Sequence, residues 1–149
     1  MNKPASPRAL RADSRGILRI LDANANRCRE GLRVTEDVAR FLLGRAQAAA
    51  LAKRLRHRVT EGVRRLPVDQ ALLLLSRDAE ADPGRSSFAR AERDRGRMAD
   101  ILSSNLHRAQ EASRVLEEFG KPFDPRCARV FKEVRYGIYT LEKRLTEAR

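Results

Sequence analysis

Apolar residues recur at helical spacing along most of this chain, and the breaks in that rhythm mark where the elements end. Asp13 or Ser14 can cap a helix whose periodicity runs through Leu43 to Gly44, a residue suited to the left-handed position beyond a C-terminus. A second helix is predicted from about Ala46 to Leu66, with Pro67 as its stop. The rhythm fails between Val68 and Glu92, where the run Ala71-Leu-Leu-Leu-Leu75 predicts a short helix followed by a polar, Arg-rich loop. A third helix is predicted from roughly Arg93 to Phe119, ending at Gly120 with Pro122 beyond it, and a fourth opens on Asp124 as cap and Pro125 at its first position.

These elements repeat. Asn24 to Asp37 aligns without gaps on Asn105 to Glu118, sharing Asn24, Arg27, Glu30, Arg33, Val34 and Glu36 with Asn105, Arg108, Glu111, Arg114, Val115 and Glu117. Lys53 to Leu66 matches Lys132 to Leu145 more weakly, and Arg-rich composition inflates that second match. The expectation is an all-α bundle: a disordered leader over 1–12, then one helical domain over 13–149. Two pseudo-symmetric hairpins, about 14–66 and 93–149, are joined by a functional linker over 67–92.

Projected at about 100° per residue, the first helix places Leu21, Ala25, Cys28, Leu32, Ala39 and Leu43 on one apolar side, extended by Val34, Val38 and Phe41. Asn26, Arg29, Glu30, Arg33, Glu36, Asp37 and Arg40 lie opposite. Asn24 falls inside the apolar face with Arg27 at its edge, and Asn105 and Arg108 repeat that placement among Leu102, Ala109, Ala112 and Leu116. Polar groups set among apolar ones need partners. Either each Asn bonds the facing helix and each Arg pairs with a carboxylate such as Glu30 or Glu111, or the two copies converge on a polar cavity of the kind bundles use for ligands.

The remaining stripe, Glu30, Arg33 and Asp37 with Glu111, Arg114 and Glu118, has the spacing of ion pairs on a solvated face. Its presence in both copies shifts that reading towards function. Arg77, Asp78 and Asp82, closed by Pro83 and Gly84, form either a capped turn or a loop delivering carboxylates to a metal ion.

Charge adds less than its size suggests. The formal net charge is +12, with 27 Arg to 5 Lys, but the arginines are interleaved with Glu and Asp, which makes nucleic acid an unlikely partner. Cys28 and Cys127 lack any CxxC pairing and are expected to be two buried thiols. No apolar run is long enough to span a bilayer and no signal segment precedes the first helix, so a cytoplasmic location without a membrane partner is expected. Phosphate loops, HExxH and nucleophile elbows are absent, and His57 and His107 stand isolated.

Four segments in order, DANANRCREGLRVTEDVARF, SRDAEADPG, SSNLHRAQEASRVLEEFGK and FKEVRYGIYTLEKRL, resemble the helical domain often found in front of bacterial thiamine-phosphate synthases. That family is described as an alternative hydroxymethylpyrimidine-phosphate kinase, and the resemblance covers roughly residues 15–145. The barrel that would perform thiamine-phosphate synthesis has no counterpart in the 149 residues. The resemblance implies a phosphotransferase of thiamine biosynthesis, moving the terminal phosphoryl group of ATP, with magnesium, onto 4-amino-5-hydroxymethyl-2-methylpyrimidine phosphate.

On that reading Arg27, Arg33, Arg77, Arg108, Arg114 and Arg135 are phosphate candidates. Asp78 and Asp82 are metal candidates, and Asp78, Arg77, Glu30 and Glu111 are catalytic ones. Asn24 and Asn105 would read the aminopyrimidine edge. The alternatives are a non-catalytic, ligand-binding partner of a separate thiamine-phosphate synthase and a basic nucleic-acid-binding protein; a homodimer is also compatible with the sequence.

Overall fold

The computed structural model describes residues 14–86 and 96–147, so the leader over 1–12, the expected helix start at Arg93 and part of the linker lie outside the described residues. Five α-helices and no strand occur among the described residues: α1 (Ser14–Asp37), α2 (Ala46–Arg64), α3 (Gln70–Leu75), α4 (Met98–Gly120) and α5 (Pro125–Glu147). The helix expected from Arg93 thus begins later, after Gly96 and Arg97.

α1 and α2 form one hairpin and α4 and α5 the other. The hairpins mate α1 against α4 and α2 against α5, giving a ring of four long helices with no diagonal contact of comparable extent. Each end matches its local chemistry. Asp69 caps α3 by accepting from the Ala71 N–H at 2.9 Å, and the Asp124 carboxylate accepts from the Arg126 N–H at 2.8 Å just before Pro125 opens α5. Gly44 follows α1 with φ of +63°, the left-handed geometry that glycine takes at little cost.

α1 does not reach Gly44 as a uniform α-helix. Val38–Leu42 widens into a π-turn, closed by the Leu43 N–H donating to the Val38 carbonyl at 3.0 Å. The wider turn rotates the later residues, and Phe41, expected on the apolar face, is 67% exposed beneath the Arg40 guanidinium. Val38 and Ala39, before the rotation accumulates, remain buried.

The core runs down the centre of the ring, with Leu32 on α1, Val59 on α2, Leu116 on α4, and Phe131, Val134, Ile138 and Leu141 on α5 fully enclosed. Close approach depends on two glycines. A Cβ on Gly31 would stand 2.6 Å from the Asn105 carbonyl oxygen, and one on Gly62 would stand 2.7 Å from the Phe131 ring. The first of these lets α1 and α4 approach to backbone contact, which draws together the polar groups that flank their crossing.

Both cysteines are free and buried, as expected from their spacing. Burial raises the Cys28 thiol from its ordinary 9.0 to about 12. Native protein at pH 8 is therefore expected to leave Cys28 unalkylated by iodoacetamide over hours, whereas denatured protein reacts promptly; rapid native labelling at Cys28, read by mass spectrometry, would refute the closed core. Because the folded pKa is the higher one, the stability that the neutral thiol contributes is complete below pH 9 and is lost progressively as pH rises towards 12.

Candidate functional site

The site lies where the two copies of the first helix cross. The Cys28 thiol donates to the Ala109 carbonyl at 3.5 Å, and these two residues are equivalent positions of the repeat, so the pseudo-twofold axis passes between them. Arg27 and Arg108, one residue earlier in each copy, are thereby brought to the same place. They line one cleft of about 620 Å³ with Asn24 from α1 and Ser104, His107, Glu111, Ala112 and Val115 from α4.

A second cleft, of about 550 Å³, shares Asn24 and Arg27 and continues along α1 past Arg19, Asp22, Asn26 and Glu30. Its roof is the linker, contributing Arg77, Asp78, Ala79 and Asp82. Arg77 holds that roof down with a two-pronged pair to Asp22, at 2.8 Å from Nε and 2.9 Å from Nη2. The Asp22 carboxylate raises the Arg77 pKa above its ordinary value, so this candidate phosphate ligand is also the anchor of the loop.

The loop carboxylates are partly committed to its shape. Asp78 Oδ1 accepts from the Ala81 N–H at 3.2 Å and Asp82 Oδ1 from the Gly84 N–H at 2.8 Å. Each keeps a second oxygen without a protein partner among the described residues. No group of three or more His, Cys, Asp or Glu side chains suited to a metal occurs among the described residues. Asp78 and Asp82 do line the same cleft, and one or two carboxylates are all that a magnesium site commonly takes from a protein.

Asn24 and Asn105 are both buried, at 7% and 9% exposed. Of the two alternatives, the bond from each Asn to the facing helix does not occur among the described residues. Asn24 Nδ2 donates to the Ile20 carbonyl and Asn105 Nδ2 to the Ile101 carbonyl, each at 2.8 Å and each within its own helix. These bonds fix the amide orientation, because only the NH₂ end can face a carbonyl. The Asn24 Oδ1 is left as an acceptor with no partner among the described residues, on a buried residue that borders both clefts. Asn105 lines neither cleft.

The repeated charge stripe has a structural use that its sequence spacing did not reveal. Glu36, expected on the solvated side, is buried between α1 and α2, where it accepts from Arg56 at 3.1 and 3.3 Å. Glu117 repeats this with Arg135 at 2.9 and 3.0 Å between α4 and α5. Arg33 pairs outward with Glu36 and Asp37, and Arg114 with Glu117 and Glu118. Each hairpin is thus clipped by the same four-residue ion cluster, and Arg33 lies in neither cleft.

The signal for the clip was present in the weaker alignment, where Arg56 and Arg135 coincide. Arg114 and Arg135 line a third hollow of about 500 Å³ with Gln110, Glu111 and Tyr139. In that copy the Arg135 guanidinium also donates to the Tyr139 hydroxyl at 3.3 Å and lies over the Tyr136 ring.

No helix among the described residues is long and apolar enough to cross a membrane. No solved structure matches the chain. Among curated proteins it is similar to the thiamine-phosphate synthases of Nostoc punctiforme (40% identical over 129 residues, 87% of this chain and 35% of that protein) and Thermosynechococcus vestitus (41% over 135 residues, 91% and 37%). The thiamine-phosphate synthase of Rhodopirellula baltica is 37% identical over 134 residues, covering 90% and 35%. The chain therefore spans about a third of the length of these relatives. A profile of the ThiD2 family matches residues 19–144, which takes in α1 almost from its start, the roofing loop and nearly all of α5. Both copies of the hairpin and the loop between them lie inside that match, and the chain belongs to the ThiD2 family.

Proposed function

We propose that the paired clefts catalyse ATP-dependent phosphorylation of 4-amino-5-hydroxymethyl-2-methylpyrimidine phosphate to the diphosphate, a step of thiamine biosynthesis. The observation that carries this reading is the convergence of Arg27 and Arg108 on one cleft, next to a second cleft holding Asp78, Asp82 and Glu30. Arginine forks suit phosphate oxygens, and carboxylates suit a magnesium ion that shields a triphosphate. ThiD2 membership and relatives named for thiamine-phosphate synthesis support the pathway.

The chemistry asks for cations more than for a base. The nucleophile is an oxygen of the acceptor's own phosphate, whose second pKa near 6 leaves it largely ionised at pH 7. Glu30 and Glu111 border the clefts and would serve as bases only under more acidic conditions. Asp78 and Asp82 would hold a magnesium ion, which would supply charge neutralisation to the donor phosphates. A nucleic-acid role draws less support, because seven of the arginines, Arg33, Arg56, Arg58, Arg77, Arg114, Arg126 and Arg135, are committed to ion pairs within the fold.

Purified protein given ATP, magnesium and the pyrimidine monophosphate is expected to release ADP and the pyrimidine diphosphate in equal amounts, followed by phosphorus NMR. Binding of the pyrimidine monophosphate without ATP consumption, together with co-purification of a thiamine-phosphate synthase, would instead establish a non-catalytic partner of that enzyme. The names of the relatives keep that second reading in play.

A further inference from the structure

The two clefts are pseudo-symmetric halves of one groove, yet they differ in charge. Ser104, His107, Arg108 and Glu111 occupy the repeat positions of Ala23, Asn26, Arg27 and Glu30, so the same helical surface lines both halves. Among the described residues the linker, which has no second copy, roofs one half. The linker brings Asp78, Asp82 and Arg77 to a half that already holds Asp22, Glu30, Arg19 and Arg27, so four carboxylates face three arginines there; among the described residues the other half sets Glu111 against Arg27 and Arg108.

We infer that this asymmetry divides the substrates: the roofed half takes the magnesium-bound triphosphate of the nucleotide, and the open half takes the phosphorylated acceptor. The division rests on the kinase reading. Four carboxylates against three arginines disfavour a bare polyanion and favour one carrying a divalent ion. Arg27 and Arg108, which outnumber Glu111 among the described lining residues, suit a metal-free phosphate dianion.

Asn24 and Arg27 stand on the boundary, since both halves include them. The Asn24 Oδ1 can only accept, so it suits a donor on the ligand, and the amino group of an aminopyrimidine ring supplies an N–H. Arg27 is placed where a phosphoryl group would pass. In that passage an oxygen of the acceptor phosphate forms a bond to the γ-phosphorus, and the bond from the γ-phosphorus to the bridging oxygen breaks. ADP leaves with that oxygen and its electron pair.

Isothermal titration of the full chain with two probes tests the division: the β,γ-imido analogue of ATP with magnesium, and the pyrimidine monophosphate. The double variant Asp78→Asn, Asp82→Asn keeps the loop's Oδ1 acceptors and is expected to weaken the nucleotide analogue about tenfold or more. Its affinity for the pyrimidine monophosphate should stay within about twofold. Arg108→Ala is expected to do the reverse. Swapped effects, equal effects on both probes or no effect, in a protein whose wild type turns over both substrates, overturn the division and leave the kinase intact. A wild type that binds neither probe removes the kinase reading and the division with it.

Discussion

Arg27→Ala is expected to lower kcat/KM for phosphoryl transfer by about 10²- to 10³-fold, the range seen when one preorganised donor to developing charge is lost. Its expected effect on folding is small. The Arg27 side chain is exposed, forms no ion pair among the described residues and borders both clefts, so its removal leaves no buried carboxylate unpaired. Arg27→Lys should recover only part of the rate, because an ammonium cannot hold two phosphate oxygens with one planar fork. Steady-state kinetics beside a thermal melt checks this. A fall under about threefold, with an unchanged melt, would mean that the transferred group passes elsewhere. Arg33→Ala is the natural control, since Arg33 is engaged with Glu36 and Asp37 outside both clefts.

The four long helices were legible because most of their ends are announced locally, by Gly44 in a left-handed conformation, Pro67 after α2, and Asp124-Pro125 before α5; the start of α4 carries no such mark and was placed too early. The repeat was legible for a different reason, namely that six of fourteen aligned positions are identical and five of those six are polar. That retention led to Asn24 and Arg27, the two residues now found on the boundary of the clefts. The same retention misled at Glu36 and Glu117. A helical projection assumes one buried face, but α1 packs against α2 as well as α4, so its buried arc is broad enough to include a residue assigned to the solvated side.

The π-turn at Val38–Leu42 had no local signature either, and it rotated Phe41 out of the face on which even spacing had placed it. The partner of Asn24 was missed because its place on the apolar face pointed across the interface, whereas an asparagine in a helix can also reach back one turn to its own backbone. The resting place of the linker was invisible in the sequence. Arg77 and Asp22 are 55 positions apart, and nothing in either local sequence marks them as partners.

Glu117→Ala is expected to destabilise the fold by about 3 kcal/mol, towards the lower end for breaking a buried ion pair, since Arg135 keeps some contact with solvent. In a domain of this size that corresponds to a melting shift of roughly 6–12 °C. The cost arises from the orphaned cation: Arg135, 15% exposed at its side chain, would lose both bonds to the carboxylate and keep the Tyr139 hydroxyl, at 3.3 Å, as its remaining hydrogen-bond partner among the described residues. Glu36→Ala should cost less, because its partner Arg56 is 25% exposed and can turn towards water. The double change Glu117→Ala, Arg135→Met should regain part of the loss, since no charge then remains orphaned between α4 and α5. A loss below about 0.5 kcal/mol for Glu117→Ala would place the pair with ordinary surface bridges. The repeated cluster would then owe its presence in both hairpins to something other than holding them closed.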